Sequence, residues 1–246
     1  MAALRAGLIG VGMMGRHHAR VLRELDGVDL VAIADPGGDP HGVAGELPIL
    51  PDIDALIEVG VDIAVVAVPT RFHEDAALRL AAAGVHALVE KPIADTVEAG
   101  QRMVDAFASA GLVGAVGHIE RFNPALQELR RRIAAGELGE VYQVVTRRQG
   151  PFPARIADVG VGKDLASHDI DLTAWVVQSD YRTVFAQTAH KSGREHEDMI
   201  IASGRLANGV IVNHLVNWLS PMKERVTIAT GEAGALVADT ATGDLT

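Results

Sequence analysis

The stretch GLIGVGMMGRHHAR, from Gly7 to Arg20, decides the fold of this 246-residue chain. A short apolar run leads into glycines at positions 10, 12 and 15, and a segment of helical character follows. This order predicts a strand, a tight turn and the start of a helix, whose unpaired backbone N–H groups bind an anion. Gly10 permits the tight turn, Gly12 lets a phosphate approach the backbone, and Gly15 lets helix and strand pack closely.

The next apolar run, LVAIAD, ends at Asp35, twenty residues beyond Gly15. A carboxylate in that position accepts hydrogen bonds from the adenosine ribose hydroxyls of a dinucleotide and disfavours a 2′-phosphate by charge repulsion. We therefore expect a site for NAD, with NADP the weaker ligand, although Arg16 would partly offset that preference.

Composition excludes several classes of protein. The formal charge of −10 repels a phosphate backbone, so nucleic acid is not an expected partner. The absence of cysteine excludes disulfides and thiolate chemistry, and the ten histidines show no zinc-binding spacing, so no metal is expected. The chain has no apolar run near the roughly 20 residues that span a bilayer, which predicts a cytoplasmic protein without membrane contact.

Periodicity divides the chain into two parts. Up to about residue 117, five short apolar runs alternate with amphipathic segments, which is typical of βαβ units in a doubly wound parallel sheet. Beyond this point, two helical segments accompany a series of strands joined by short turns, which indicates a mostly antiparallel sheet. We predict an α/β chain with a dinucleotide-binding Rossmann domain at residues 1–119 and an α+β domain at 120–246.

The fourth apolar run ends in VEKPIAD, where Pro92 stops the strand after Glu90 and Lys91. The chain leaves the sheet at its carboxyl edge, where ligands of such folds bind, so Lys91 is placed for the nicotinamide end of the cofactor. On the first helix, His17 is expected on a helix flank, and the sequence does not choose a role for His18.

A second candidate site is KDLASHDIDL, from Lys163 to Leu172. Regular helical spacing places Asp164, His168 and Asp171 on one side of a helix, where neither an apolar stripe nor a plain solvated face accounts for them. Asp169 is expected elsewhere, as a solvated or interface carboxylate. Taken without Lys91 and the glycine motif, His168 is better explained as a hydrogen-bonded core histidine.

Five motifs in this order resemble the glucose-fructose oxidoreductase, inositol dehydrogenase and MocA family of NAD(P)-dependent sugar oxidoreductases. They are GLIGVGMMGRHHAR, Pro69 and Thr70 followed by His73, GVHALVEKP, GHIERFNP and GVGKDLASHDID. More narrowly, GHIERFNPA, RRQGPFPARIADVGVGKDLASHDIDL and HEDMI are similar to the branch that oxidises UDP-N-acetylglucosamine or its uronic acid at the 3-hydroxyl. Family members usually continue with further strands and a helix, so if this sequence is the complete protein, its second domain is expected to be shortened at the C-terminus.

The resemblance implies that Lys91, Asp164 and His168 act at the reacting carbon. His168 would be the base, and Lys91 would stabilise alkoxide charge or share the proton. For Asp164, steering the imidazole and binding a sugar hydroxyl both stay open. Asp171 is expected in a structural role. The predicted cofactor-binding residues are Gly10, Gly12, Met13, Met14, Gly15, Asp35, Pro69, Thr70, His73, Glu90 and Lys91.

Five polar side chains are candidate substrate contacts: Arg121, Asn123, Arg148, Arg155 and Lys163. The cations among them suit a diphosphate or a carboxylate, with a surface or interdomain cation as the alternative for each. The expected substrate is a nucleotide sugar, with a polyol such as an inositol as the alternative. A dinucleotide-binding sensor or partner subunit without turnover is a further alternative. The open second sheet favours a homodimer or homotetramer.

Overall fold

The computed structural model describes residues 2–153 and 159–246, which form two compact units. The first unit extends to Gly117 and the second begins at His118; the predicted boundary follows residue 119. Within the described residues, no helix is both long and apolar enough to cross a membrane.

The first unit is built on a parallel six-stranded sheet in the order β3-β2-β1-β4-β5-β6. Its strands are β1 (Leu4–Ile9), β2 (Val28–Ala34), β3 (Ile49–Leu50), β4 (Ile63–Val66), β5 (His86–Val89) and β6 (Gly114–Val116). Its helices are α1 (Met13–Glu24), α2 (Ile53–Glu58), α3 (His73–Ala82) and α4 (Val97–Ser109). The doubly wound prediction is confirmed. Sequence reasoning missed β3, because two residues are too short to give a period.

Apolar clusters cover both faces of this sheet, as a parallel sheet with crossover helices requires. Two helices begin at side-chain caps, where Asp52 accepts a hydrogen bond from Ala55 N–H and Thr96 accepts one from Ala99 N–H. All six strands run in one direction, so the loops after β1, β2, β4 and β5 meet at one edge.

The second unit carries a seven-stranded sheet in the order β13-β12-β11-β7-β10-β9-β8. Its strands are β7 (Val141–Pro151), β8 (Tyr181–Ala189), β9 (Met199–Leu206), β10 (Ile211–Asn217), β11 (Leu219–Gly231), β12 (Gly234–Asp239) and β13 (Asp244–Leu245). Neighbouring strands are antiparallel except β7 and β10, which are parallel. The predicted mostly antiparallel sheet is thus confirmed.

Two helices, α5 (Pro124–Ala134) and α6 (Ser167–Val177), bury their apolar side chains against this second sheet. Leu126 and Leu129 of α5 and Leu172 of α6 are fully buried in that core. Apolar side chains of β8 and β9 are exposed instead, including Val184, Phe185 and Ile201. Packing against the sheet holds α6 in place, and α6 carries most of the stretch KDLASHDIDL.

Candidate active site

The glycine turn connects β1 to α1 at the carboxyl edge of the first sheet. Gly10 has a φ of +93°, a left-handed conformation that favours glycine, and a Cβ there would lie 2.7 Å from the carbonyl oxygen of Ala67. A Cβ on Gly15 would lie 2.0 Å from the carbonyl oxygen of Gly10, whereas a Cβ on Gly12 would meet nothing within 4 Å. The fold itself requires Gly10 and Gly15, and Gly12 leaves open space at the start of α1.

Asp35 directly follows β2 and holds the glycine turn from the neighbouring strand. Its Oδ2 accepts a hydrogen bond from Val11 N–H at 2.9 Å, and its Oδ1 accepts one from Gly37 N–H at 2.8 Å. A carboxylate has about four acceptor positions, so this half-buried group retains capacity for two ribose hydroxyls.

The residues at this edge fit a dinucleotide. The first turn of α1 contains no acidic side chain, and Gly12 at its N-cap leaves the backbone N–H groups uncovered. These groups suit a pyrophosphate, and Asp35 suits the adenosine ribose. Met13 and Met14 are exposed beside the turn, and Pro69 and Thr70 follow β4 at the same edge.

The EKP turn, Glu90–Pro92, follows β5 at this edge and carries Lys91. Glu90 is 8% exposed, and its Oε1 lies 2.7 Å from Nε2 of His18 on α1. Its Oε2 accepts a hydrogen bond from Lys91 N–H at 3.2 Å. The buried carboxylate thus joins α1 to the EKP turn, and the predicted cofactor contact of Glu90 stays a prediction.

His73 begins α3 and is 1% exposed. Its Nε2 lies 2.9 Å from the carbonyl oxygen of Val68, and its Nδ1 lies 3.0 Å from that of Pro92. Both ring nitrogens face backbone carbonyl groups, and the expected cofactor contact of His73 stays a prediction. The imidazole links the loop after β4 to the EKP turn.

In the second unit, Asp164 and His168 lie where α6 begins. Asp164 belongs to a π-helical turn, Gly162–Ala166, and His168 is the second residue of α6. Such turns are rare and are frequently found at functional sites. Both side chains are half-buried, and Lys163 is exposed. The regular helix expected from the sequence therefore begins with a wider turn, and simple i, i+4 spacing does not describe Asp164 and His168.

Asp164 also lines a cavity of about 170 Å³, together with Trp218, Lys223 and Arg225. Arg225 is half-buried, and desolvation, together with the nearby charge of Arg148, lowers its pKa. Sequence reasoning missed both cations of this cavity. Their spacing of two residues on a strand puts Lys223 and Arg225 on one face of the sheet, which is the signal that would have found them.

Arg121 and Asp171 form a two-pronged ion pair. Nε of Arg121 donates to Oδ2 at 2.9 Å and Nη2 donates to Oδ1 at 2.5 Å, while Nδ1 of His118 lies 3.4 Å from Oδ2. The hydrogen bond to Asp171 outweighs desolvation and raises the pKa of Arg121. Asp171 thus engages two donors of Arg121, and the predicted substrate contact of Arg121 stays a prediction.

Arg148 is 5% exposed and lies between two carboxylates. Its Nε donates to Oδ2 of Asp169 at 2.8 Å, and its Nη1 donates to Oε1 of Glu120 at 2.7 Å. Desolvation disfavours the charge on Arg148, but the two carboxylates outweigh it and raise its pKa. The expectation of a solvated Asp169 is wrong, since this residue is 2% exposed. Arg148 is an interior cation, and its predicted substrate contact stays a prediction.

Asn123 is the N-cap of α5. Its Oδ1 accepts a hydrogen bond from Ala125 N–H, and its Nδ2 donates to the carbonyl oxygen of Thr240 at 3.0 Å. Asn123 therefore caps α5, and its predicted substrate contact stays a prediction. Arg155, the remaining predicted cation, lies outside the described residues.

A buried polar chain lies near Asp169 and was not found from the sequence. Nδ1 of His214 lies 2.8 Å from the hydroxyl of Thr146, and Nε2 lies 2.8 Å from the hydroxyl of Tyr181. Burial lowers the pKa of His214 to about 4, so the imidazole is neutral at pH 7, and burial raises the pKa of Tyr181. These groups form an interior hydrogen-bonded chain and offer no open ligand site.

Within residues 2–153 and 159–246, no group of three or more His, Asp or Glu residues is arranged to hold a metal ion.

The parallel sheet and its glycine turn define the class of the first unit, which is a dinucleotide-binding Rossmann domain. The second unit adds a helix-backed sheet with a polar cavity.

Comparison with known proteins identifies the family. Residues 4–118 match the family model "Oxidoreductase family, NAD-binding Rossmann fold", and residues 126–237 match the "GFO/IDH/MocA C-terminal domain". The chain therefore belongs to the GFO/IDH/MocA oxidoreductase family, as its motifs indicated.

Two curated relatives are informative. The chain is 34% identical over 216 residues to UDP-N-acetylglucosamine 3-dehydrogenase of Acidithiobacillus ferrooxidans, covering 87% of this chain and 66% of the relative. It is 30% identical over 191 residues to scyllo-inositol 2-dehydrogenase (NAD(+)) of Bacillus subtilis, covering 74% and 56%. The chain thus matches just under two thirds of the first relative and just over half of the second.

Solved structures agree with this assignment. UDP-N-acetylglucosamine 3-dehydrogenase from Acidithiobacillus ferrooxidans superposes with a TM-score of 0.90 at 30% identity, over 100% of this chain and 80% of the other. The WlbA dehydrogenase from Bordetella pertussis, in complex with NADH and UDP-GlcNAcA, gives 0.89 at 28% identity, over 96% and 74%.

Proposed function

We propose that the chain is an NAD-dependent dehydrogenase that oxidises a secondary hydroxyl of a sugar, most specifically the 3-hydroxyl of a UDP-N-acetylglucosamine-type nucleotide sugar. The observation that carries the choice of substrate is the cavity of Asp164, Trp218, Lys223 and Arg225 beside the start of α6. Two cations beside a carboxylate suit an anionic sugar, because the cations attract phosphate and the carboxylate accepts hydrogen bonds from hydroxyls. The two UDP-sugar relatives support the same substrate class.

The chemistry divides between cofactor and protein. NAD, when bound, accepts the hydride from the reacting carbon. His168 takes the hydroxyl proton, because an imidazole can act as a general base. The ammonium of Lys91 stabilises the developing alkoxide or shares the proton. Asp164 either steers the imidazole or binds a neighbouring sugar hydroxyl, and Lys163 contributes a further cation to the substrate.

The cofactor-binding assignments of Gly12, Met13, Met14, Pro69 and Thr70 belong to the same proposal. So do a cytoplasmic location and assembly into a homodimer or homotetramer. Self-association is supported by the exposed apolar side chains of Val184, Phe185 and Ile201 on the second sheet. Light scattering of the purified chain tests it, and a monomer at all concentrations would contradict it.

The substrate is tested by incubating the chain with NAD and a panel of nucleotide sugars and polyols while following NADH absorbance. We expect turnover with UDP-N-acetylglucosamine or its uronic acid. The inositol dehydrogenase relative makes a polyol the second candidate, and turnover with polyols alone would replace the nucleotide sugar. NAD binding without turnover on any compound would support a non-catalytic sensor or subunit instead.

The assigned residues are tested by substitution. Lys91→Ala and His168→Ala should each lower kcat by about 100-fold or more if they act in proton transfer. Lys191→Ala and His190→Ala, at exposed positions of the second unit, are the matched controls and should leave kcat unchanged. Near-normal rates for Lys91→Ala or His168→Ala would refute the assigned roles.

A further inference from the structure

We infer that His18 is a positioning residue for Lys91 and acts on it through the carboxylate of Glu90. The two partners are 72 residues apart in sequence, yet Nε2 of His18 lies 2.7 Å from Oε1 of Glu90. Their side chains are 19% and 10% exposed. The pair therefore lies in the interior of the first unit, where a hydrogen bond to a charged group is stronger than at the surface.

The carboxylate of Glu90 has little freedom to move. A Cβ on Gly117, at the end of β6, would lie 3.2 Å from the carboxyl carbon of Glu90, so the side chain is packed against that backbone. Burying a carboxylate is costly unless it is hydrogen-bonded, and His18 supplies that bond. The other oxygen accepts from Lys91 N–H at 3.2 Å. His18 thus fixes a group that directly contacts the backbone of Lys91.

The far side of the EKP turn is fixed independently. Nδ1 of His73 lies 3.0 Å from the carbonyl oxygen of Pro92, the residue after Lys91. Lys91 is therefore held between Glu90, tied to α1, and Pro92, tied to α3. Because α1 also carries the glycine turn, the His18–Glu90 pair keeps Lys91 in register with the residues that fit the dinucleotide.

The consequence for turnover rests on the proposed function, in which the ammonium of Lys91 acts on the substrate oxygen. A group displaced by about 1 Å from its productive position can lower the rate by about 100-fold. His18→Ala removes the bond but leaves the anchor at His73, so partial displacement and a smaller loss are expected. Gln reaches the same position with an amide N–H, so His18→Gln should restore the bond.

The inference is tested without turnover by competitive lysine acetylation read by mass spectrometry. The chain has four lysines, and Lys163, Lys191 and Lys223 serve as internal standards for Lys91. In His18→Ala, the rate at Lys91 relative to these three should rise about threefold or more, because the turn opens locally more often. His18→Gln and the exposed-neighbour control His17→Ala should keep the wild-type ratio. An unchanged ratio in His18→Ala, with or without a lower Tm, would overturn the inference.

Kinetics give the second readout. His18→Ala should lower kcat by about tenfold while KM for NAD changes by less than about twofold, and His18→Gln should recover most of kcat. A loss confined to KM for NAD would overturn the inference, because it would assign His18 to cofactor binding. A wild-type chain without turnover would refute the proposed function, whereas the acetylation ratio would still decide the role of His18.

Discussion

The glycine turn of the first unit and the interior of the second unit differ in what holds them together. The turn is held by backbone requirements: Gly10 has a left-handed φ of +93°, and Gly15 allows an approach that a Cβ would block. The second unit is held by side chains from separate strands and helices, such as Arg148 of β7 with Asp169 of α6. The backbone requirements of the turn come from one contiguous stretch of sequence, whereas the side-chain contacts of the second unit join residues that are far apart in sequence.

This difference explains why the sequence did not indicate that Arg148 and Asp169 form a buried pair. Arg148 and Asp169 are 21 residues apart, and each alone has the properties of a surface charge. Only strand register and helix packing bring them together. Four sets of substitutions test this contrast through the free energy of unfolding, its pH dependence and the affinity for NAD.

The largest effect is expected from breaking the buried ion pairs of Arg148. Arg148→Met leaves two interior carboxylates without their cation and should lower the free energy of unfolding of the second unit by about 3–5 kcal/mol. Arg147→Met, next along β7, removes a partly exposed pair with Glu224 at 3.0 Å and should cost less than about 1 kcal/mol. Both tryptophans, Trp175 and Trp218, lie in the second unit, so urea titration followed by their fluorescence measures it. Equal losses for the two variants would contradict the account.

His214 should give the second unit a pH dependence. Its pKa is about 4 in the fold against about 6.5 in the unfolded chain, so the unfolded chain binds more protons between these values. This contribution to stability is complete above pH 6.5 and is lost as the pH falls toward 4, amounting to about 3 kcal/mol. Between pH 6.5 and 4, the wild type should therefore lose more stability than His214→Gln does. Parallel pH profiles would show that His214 is not held neutral.

In the glycine turn, Gly15 is required for packing, whereas Gly12 is expected to matter only for ligand binding. Gly15→Ala should destabilise the first unit by about 1–3 kcal/mol, because its Cβ would overlap the backbone at Gly10. Gly12→Ala should leave Tm nearly unchanged, yet weaken NAD binding by about tenfold or more, because its Cβ enters the space kept for the pyrophosphate. Calorimetry measures both quantities. An unchanged NAD affinity in Gly12→Ala would show that the pyrophosphate does not bind beside Gly12.

The smallest effect is expected at Asp35. Asp35→Asn removes the negative charge at nearly constant size, and the ratio of NAD to NADP affinity should fall by about tenfold as repulsion of the 2′-phosphate is lost. Glu46→Gln, an exposed acid in the same unit, is the control. An unchanged ratio in Asp35→Asn would mean that Asp35 does not meet the ribose.

Much of the fold could be predicted from the sequence, because alternating apolar periods and glycine positions are local signals. They gave five of the six strands of the first sheet and six of the seven strands of the second, and missed β3 and β13, which have two residues each. The candidate site was less accessible. The pairs of Glu90 with His18 and of Arg121 with Asp171 join residues 72 and 50 positions apart, and no local period indicates such partners. The capping role of Asn123 was overlooked although the sequence carries its signal, since Asn directly before Pro124 is typical of a helix N-terminus.

The most direct test of the central claim is hydride transfer from a labelled substrate. The chain is incubated with NAD and UDP-N-acetylglucosamine carrying deuterium at C3, and the mass of the NADH formed is measured. We expect NADH one mass unit heavier than the product of the unlabelled sugar, with its rate of formation lowered by about 100-fold or more in His168→Ala. Unlabelled NADH would contradict oxidation at the 3-hydroxyl, as would no NADH from this sugar or its uronic acid while a polyol reacts.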